Sequence, residues 1–226
     1  MRSYNQQCAL AKALDVVGDR WTLLIVRELM IRDACRYTDL LNGLPGIATN
    51  LLTERLKELA AAGIITREEE PPPIATALFR LTPRGKALEP AIAALGWWGR
   101  PLLASDVGND TFRDHWVILP LRLYVRDQSP GAHPITLALQ LGKERVTLET
   151  ASDGSVRVEP GNPAHRDALI DGEPRTILAL LSAKLSLSAA RAKGLHYEGD
   201  PKILKRFGAS YTNATNKTGG CAWQKV

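Results

Sequence analysis

Apolar residues recur at helical spacing through roughly the first hundred positions, and from 135 to 158 they alternate with a period of two. Ala9, Leu10, Ala13 and Leu14 give a first helix its apolar face, which Gly18-Asp19 ends. Trp21, Leu24, Ile25 and Leu29 mark a second helix from about Arg20 to Ile31, and Leu40, Leu41 and Leu44 a shorter one from Tyr37 to Leu44. Leu44-Pro45-Gly46-Ile47 is then a turn of the kind that joins two helices at a steep angle. In the next helix, about Ala48 to Ala62, Leu52, Leu56 and Leu59 fall within about 60° of one another on a helical wheel. Gly63 ends it. Ile64 to Arg67 begins a strand, Glu68 to Pro73 makes an acidic, Pro-rich tip, and Ala77 to Thr82 returns as a second strand. Pro83 opens a helix expected from about 83 to 103, with Leu88, Ala91, Ile92 and Leu95 as its stripe.

Beyond a boundary near Gly99 to Asp114 the pattern changes. Phe112 to Val125 reads as a kinked helix carrying Trp116, Leu119 and Leu123, with Pro120 at the kink and a strand as the alternative. Ile135, Leu137, Leu139 and Leu141 then alternate with Thr136, Ala138 and Gln140. Turns at Gly142-Lys143 and Asp153-Gly154 make an antiparallel meander with Val146, Leu148, Val156 and Val158 inside and Arg145, Thr147, Arg157 and Glu159 outside. A short strand at Asp167 to Asp171, helices at Glu173 to Ala183 and Ser188 to Lys193, a final strand at Leu195 to Glu198 and a last helix from Asp200 to about Phe207 complete the segment. The fold class is α+β: a mainly helical unit with a β-hairpin wing, then a smaller unit whose mostly antiparallel sheet packs on helices. The expected divisions are 1–104, a linker at 105–111, 112–209 and a tail at 210–226.

Composition narrows the function classes without choosing one. The chain has 226 residues, 45% of them hydrophobic and 23% charged, which excludes a disordered chain. No apolar run approaches the roughly 18 residues of a membrane helix, and Ser3 to Gln7 is too polar for a signal-peptide core, so a cytoplasmic protein is expected. The net charge of +5 is spread along the chain and is too small to argue nucleic-acid binding alone. Three cysteines and four scattered histidines show no disulfide framework and no metal spacing. With no phosphate loop and no nucleophile motif, neither an enzyme nor a cofactor is expected.

The helix at 48–62 carries the sharpest chemistry. Opposite its leucines lie Asn50, Thr53, Glu54 and Lys57, with Thr49 at the amino-terminal edge. Short polar side chains there suit entry into a major groove, because Asn and Thr reach base edges without holding the backbone away. An ordinary solvated face is the alternative. Arg67 and Arg80, on the two arms of the following hairpin, are placed either to approach phosphates or to pair with a nearby acid.

Residues 8–103 resemble the HxlR-type winged helix-turn-helix of bacterial transcriptional regulators. The resemblance rests on Cys8, Ala11 to Leu14, Gly18 to Ile25, Arg36 to Leu40, Leu44 to Ile47, Leu52 to Leu59, Gly63-Ile64-Ile65 with Arg67, and Leu81 to Gly85. It implies a homodimer built by the first and last helices of the domain, reading a pseudo-palindromic operator on double-stranded DNA. By position, Thr49, Asn50 and Thr53 would face bases, and Arg36, Thr38, Lys57, Arg67 and Arg80 would meet the backbone. Arg55 leans inward and reads as a structural ion pair. Ala48 departs from the Ser or Thr that starts this helix in many relatives, unless Thr49 takes the capping role one residue later. Cys8 stands where some redox-sensing relatives keep a reactive thiol; a small buried residue is the alternative. Cys35 reads as the more exposed of the two.

Residues 112–209 resemble a sterol-carrier-protein-type domain, on Gly172-Glu173-Pro174 before Ile177 to Leu181, Ala189-Ala190 with Gly194-Leu195, and Glu198 to Pro201 before Leu204 and Phe207. That resemblance implies a pocket for a lipid-like or flat hydrophobic effector, lined by Leu137, Leu139, Val146, Leu148, Leu178 and Leu181. A filled core is the equal alternative. The expected function is thus a regulator controlled by a hydrophobic small molecule. Its rival is a dimeric carrier of such a ligand whose winged domain serves only dimerisation.

Overall fold

The computed structural model describes residues 3–69, 76–104 and 110–210. Part of the expected wing tip (70–73), most of the expected linker and tail, and Cys221 lie outside the described residues. The chain divides into two compact units, residues 1–95 with 101–113 and residues 96–100 with 114 onward. The expected linker therefore falls inside the first unit's share of the chain.

In the first unit α1 spans Ala9–Val17 and α2 Thr22–Arg32. Trp21, with φ of 78°, turns the chain between them in the left-handed region, so α2 starts two residues later than expected. The core holds Ile25, Leu29, Leu40, Leu44, Leu52 and Leu59, each buried to 1–2% exposure or less, which stabilises by about 1.5–3 kcal/mol per side chain. The expected inner faces of α1 and α2 are only partly inside, because Leu10, Leu14 and Leu24 are exposed. A short strand, β1 (Ala34–Arg36), precedes α3 (Tyr37–Gly43) and α4 (Thr49–Ala61). The hairpin pairs β2 (Ile65–Glu69) with β3 (Ala77–Leu81), and β1 adds a third antiparallel strand on the far side of β3. Glu68 and Glu69 thus belong to a strand rather than to the tip.

The expected helix over 83–103 is broken. Its first piece, α5 (Pro83–Lys86), is capped by Thr82, whose Oγ1 accepts the Gly85 N–H at 3.1 Å. Gly85 has no room for a side chain, since a Cβ there would lie 2.2 Å from the Ile64 carbonyl oxygen. The second piece, α6, runs Glu89–Gly99, and Arg100–Ala104 continues as a 3-10 turn. Pro90 lacks an N–H and its ring opposes the carbonyl four residues back, which explains the interruption. The stripe also differs: Ala93 is the buried residue of α6, whereas Leu95 is 53% exposed and Trp98 74%.

From residue 114 the second unit runs through a 3-10 turn (Asp114–Val117) into α7 (Ile118–Tyr124); the break falls before Ile118, and Pro120 lies in the first turn of α7 rather than at a kink within a longer helix. After β4 (Val125–Asp127) come β5 (Thr136–Leu141), β6 (Glu144–Thr150) and β7 (Val156–Pro160), the expected meander. Next are β8 (Ala168–Gly172), α8 (Pro174–Leu181), α9 (Leu187–Ala192) and β9 (His196–Gly199). The five-stranded sheet has the order β7-β6-β5-β8-β9, and only the β5–β8 pair is parallel. As the central strand, β5 buries even Ala138 on its outer side, so its two faces are not cleanly apolar and polar. Both helices start on side-chain caps: the Thr176 N–H donates to Glu173 and the Ala189 N–H to Ser186. The expected last helix is a 3-10 turn, Pro201–Arg206, and β10 (Phe207–Ala209) follows, pairing antiparallel with β4. Asp127, at the end of β4, is buried against Arg206, whose guanidinium also donates to the carbonyls of His133 and Ser129.

Candidate nucleic-acid interface

On α4 Leu52, Leu56 and Leu59 are buried, while Thr49, Asn50, Thr53 and Lys57 are exposed. The helix begins at Thr49, so Ala48 occupies the capping position, with extended backbone and no side-chain acceptor. Thr49 does not take the cap over. Asn50 supplies part of it: its Oδ1 accepts the Leu51 N–H at 2.9 Å. Thr53 Oγ1 donates back to the Thr49 carbonyl at 2.9 Å, the local back-bond that Thr makes in helices.

Tyr37, at the first position of α3, also reaches this turn. Its hydroxyl donates to the Thr49 carbonyl at 2.8 Å and lies 3.4 Å from Thr53 Oγ1. Sequence reading placed Tyr37 only as a helix start. Its link to α4 depends on the angle between two helices, which no local pattern encodes.

Arg55 bonds Asp19 and Glu58 and lies 3.5 Å from Glu54, with 12% of its side chain exposed, as its inward lean suggested. Arg36 is the residue before α3; its N–H donates to Asp39 Oδ2 at 2.8 Å, and its side chain and Thr38 are exposed. On the wing, Arg67 pairs with Glu69 at 2.5 Å and Arg80 with Glu68 at 3.3 Å. The register sets Arg67 opposite Phe79 and Arg80 opposite Thr66, so the two arginines leave opposite faces of the sheet. They do not converge on one point.

The two cysteines stand the other way round from expectation. Cys8 is exposed, just ahead of α1, and Cys35 is buried in β1 with its Sγ 3.9 Å from the Glu28 carbonyl. Burial pushes the Cys35 thiol up to about 12. Of the six residues expected to line a pocket, Leu137, Leu139, Val146, Leu148 and Leu181 are at most 1% exposed and only Leu178 is half-buried. Those five leave essentially no surface open to a water-sized sphere, which is the behaviour of a filled core.

Residues 16–106 match the HxlR-like helix-turn-helix family. The HTH-type transcriptional regulator YvaP of Bacillus subtilis is 34% identical over 87 residues, covering 38% of this chain and 80% of that protein. The chain belongs to the HxlR-like helix-turn-helix family. A second relative from Bacillus subtilis, the uncharacterized HTH-type transcriptional regulator YybR, is 32% identical over 116 residues, covering 49% of this chain and 90% of that one. Among solved structures, the redox regulator HypR in its reduced form has 29% identity and a TM-score of 0.39, covering 44% of this chain and all of that one. The HxlR-like match stops at residue 106, and the part of the second unit from Asp114 onward lies beyond it.

Proposed function

We propose that the protein is a sequence-specific DNA-binding transcriptional regulator, acting as a homodimer with the α4 of each copy in a major groove of a pseudo-palindromic operator. The observation that carries this reading is the division of α4: Leu52, Leu56 and Leu59 inside, and a cluster of short polar groups and Lys57 outside. Asn and Thr at that position reach base edges, and Lys57, Arg36 and Thr38 are exposed for phosphate contacts. The HTH-type regulators among its relatives support the same reading. Exposed Leu10 and Leu14 on α1 and Leu95 on α6 supply apolar area of the kind a second copy covers. Two-fold symmetry would then set the half-sites about 34–36 Å apart.

The test is fluorescence anisotropy on duplex DNA from the region upstream of its own gene, against a scrambled duplex at near-physiological salt. A regulator prefers its site by at least about 10³-fold. Equal, weak binding to both that collapses as salt rises overturns the reading, since it leaves phosphate attraction alone.

For the second unit, the hydrophobic effector has a definite structural condition. A ligand at Leu137, Leu139, Val146, Leu148 and Leu181 enters only by parting packed side chains, and it regulates only if it binds the two DNA-affinity states unequally. A compound that shifts operator affinity supports this role; a library in which none does removes it.

A further inference from the structure

Two of the three side chains proposed to face bases already make a hydrogen bond within the protein. Asn50 Oδ1 accepts the Leu51 N–H, and because a backbone N–H can only donate, the atom turned inward is the oxygen. The exposed side chain keeps the two hydrogens of its amide nitrogen for an outside partner. Thr53 is committed in the opposite sense. Its single hydrogen goes to the Thr49 carbonyl, or to the Tyr37 hydroxyl 3.4 Å away, and in both arrangements it stays within the protein. The Thr53 oxygen keeps its lone pairs, and its methyl group is free.

We infer that these internal bonds set the polarity of base reading, with Asn50 presenting its amide hydrogens and Thr53 its oxygen. The inference rests on α4 being the base-reading helix, and it goes further by naming the edges read. In the major groove guanine offers two acceptors, O6 and N7; cytosine offers one donor, N4; adenine offers an acceptor and a donor side by side. The usual Asn–adenine pair needs the amide oxygen and nitrogen presented together, and here the oxygen is turned away. Guanine, whose major-groove edge offers two acceptors and no donor to the Asn50 amide N–H groups, is therefore its preferred partner. Thr53 selects the amino groups of cytosine or adenine and rejects guanine. The absent cap is the origin of this polarity: with Ala48 unable to accept the Leu51 N–H, Asn50 does so instead.

The test is selection from randomised duplexes by the full chain and by two near-isosteric variants, each first checked for an unchanged melting curve. Asn50→Asp keeps an oxygen for Leu51 and turns the outward donor into an acceptor. Thr53→Val keeps the methyl and removes the oxygen. The wild-type protein should prefer guanine at the position that Asn50→Asp alters, by about tenfold over adenine, and the variant should prefer cytosine there. Thr53→Val should lose about tenfold of a preference for adenine or cytosine at a different position. The inference is overturned if the Asn50 position prefers adenine or cytosine, if the Thr53 position prefers guanine, or if neither variant alters a selected sequence. A wild-type protein that selects no sequence overturns the DNA-reading role itself, a separate result from a wrong base at a selected site.

Discussion

Glu68 and Glu69 stand beside the two wing arginines, so a phosphate approaching Arg67 or Arg80 competes with a carboxylate already in place. Glu68→Gln combined with Glu69→Gln should raise affinity for any duplex about two- to fivefold at low salt and steepen the salt dependence, measured by anisotropy across a salt series. An unchanged slope would mean that neither arginine meets the DNA backbone. The cysteines differ in the same local way. Burial holds the Cys35 thiol far above the ordinary range and keeps it protonated, while exposed Cys8 meets reagents directly. Iodoacetamide under native conditions should label Cys8 and spare Cys35, as read by peptide mass spectrometry; rapid labelling of Cys35 would contradict its burial. The sequence offered only neighbours for these two residues. Burial of Cys35 comes from its pairing with Phe79, forty-four positions along, and its neighbour Arg36 says nothing about that.

Helices with a strong period were legible, and three-residue strands and the break in the helix over 83–103 were not. Leu52, Leu56 and Leu59 repeat often enough to define a face, whereas β1 and β10 are three residues each, too short to show a period of two. Pro90 was visible in the sequence, yet the leucines on both sides of it suggested one continuous helix. For α4 the missing cap has a measurable effect. Ala48→Ser should raise the stability of the winged unit by about 1 kcal/mol in denaturant unfolding, since a side-chain acceptor then meets the first-turn N–H groups. The same change should release Asn50 Oδ1 and move the preference at its base position toward adenine. A variant no more stable than the parent would show that Asn50 already fulfils the capping role.

Across the whole molecule, the winged unit was read largely from local pattern, and the second unit depends more on distant pairs. Nothing in the sequence links Asp127 with Arg206, seventy-nine positions apart, yet their pair lies where β4 and β10 meet. Burial pushes the Asp127 carboxyl up, but hydrogen bonds from Arg206 and the Ser129 N–H outweigh it, and the net displacement is downward. A carboxylate with a depressed folded value contributes stability that is full above its unfolded value of about 3.9 and is lost as pH falls through the folded value. Asp127→Ala should cost about 3–5 kcal/mol at neutral pH and flatten the acid limb of the stability curve, as followed by circular dichroism. An unchanged acid limb would place the titrating group elsewhere. The β4–β10 pair also imposes an order on birth at the ribosome. The winged unit has all three of its strands once residue 81 has emerged, and domains fold as the chain appears. β4, by contrast, is made early and waits for a partner about eighty positions later in the chain. A chain truncated ahead of residue 206 is therefore able to complete its three wing strands, while Asp127 is left without its cation and β4 without its partner strand.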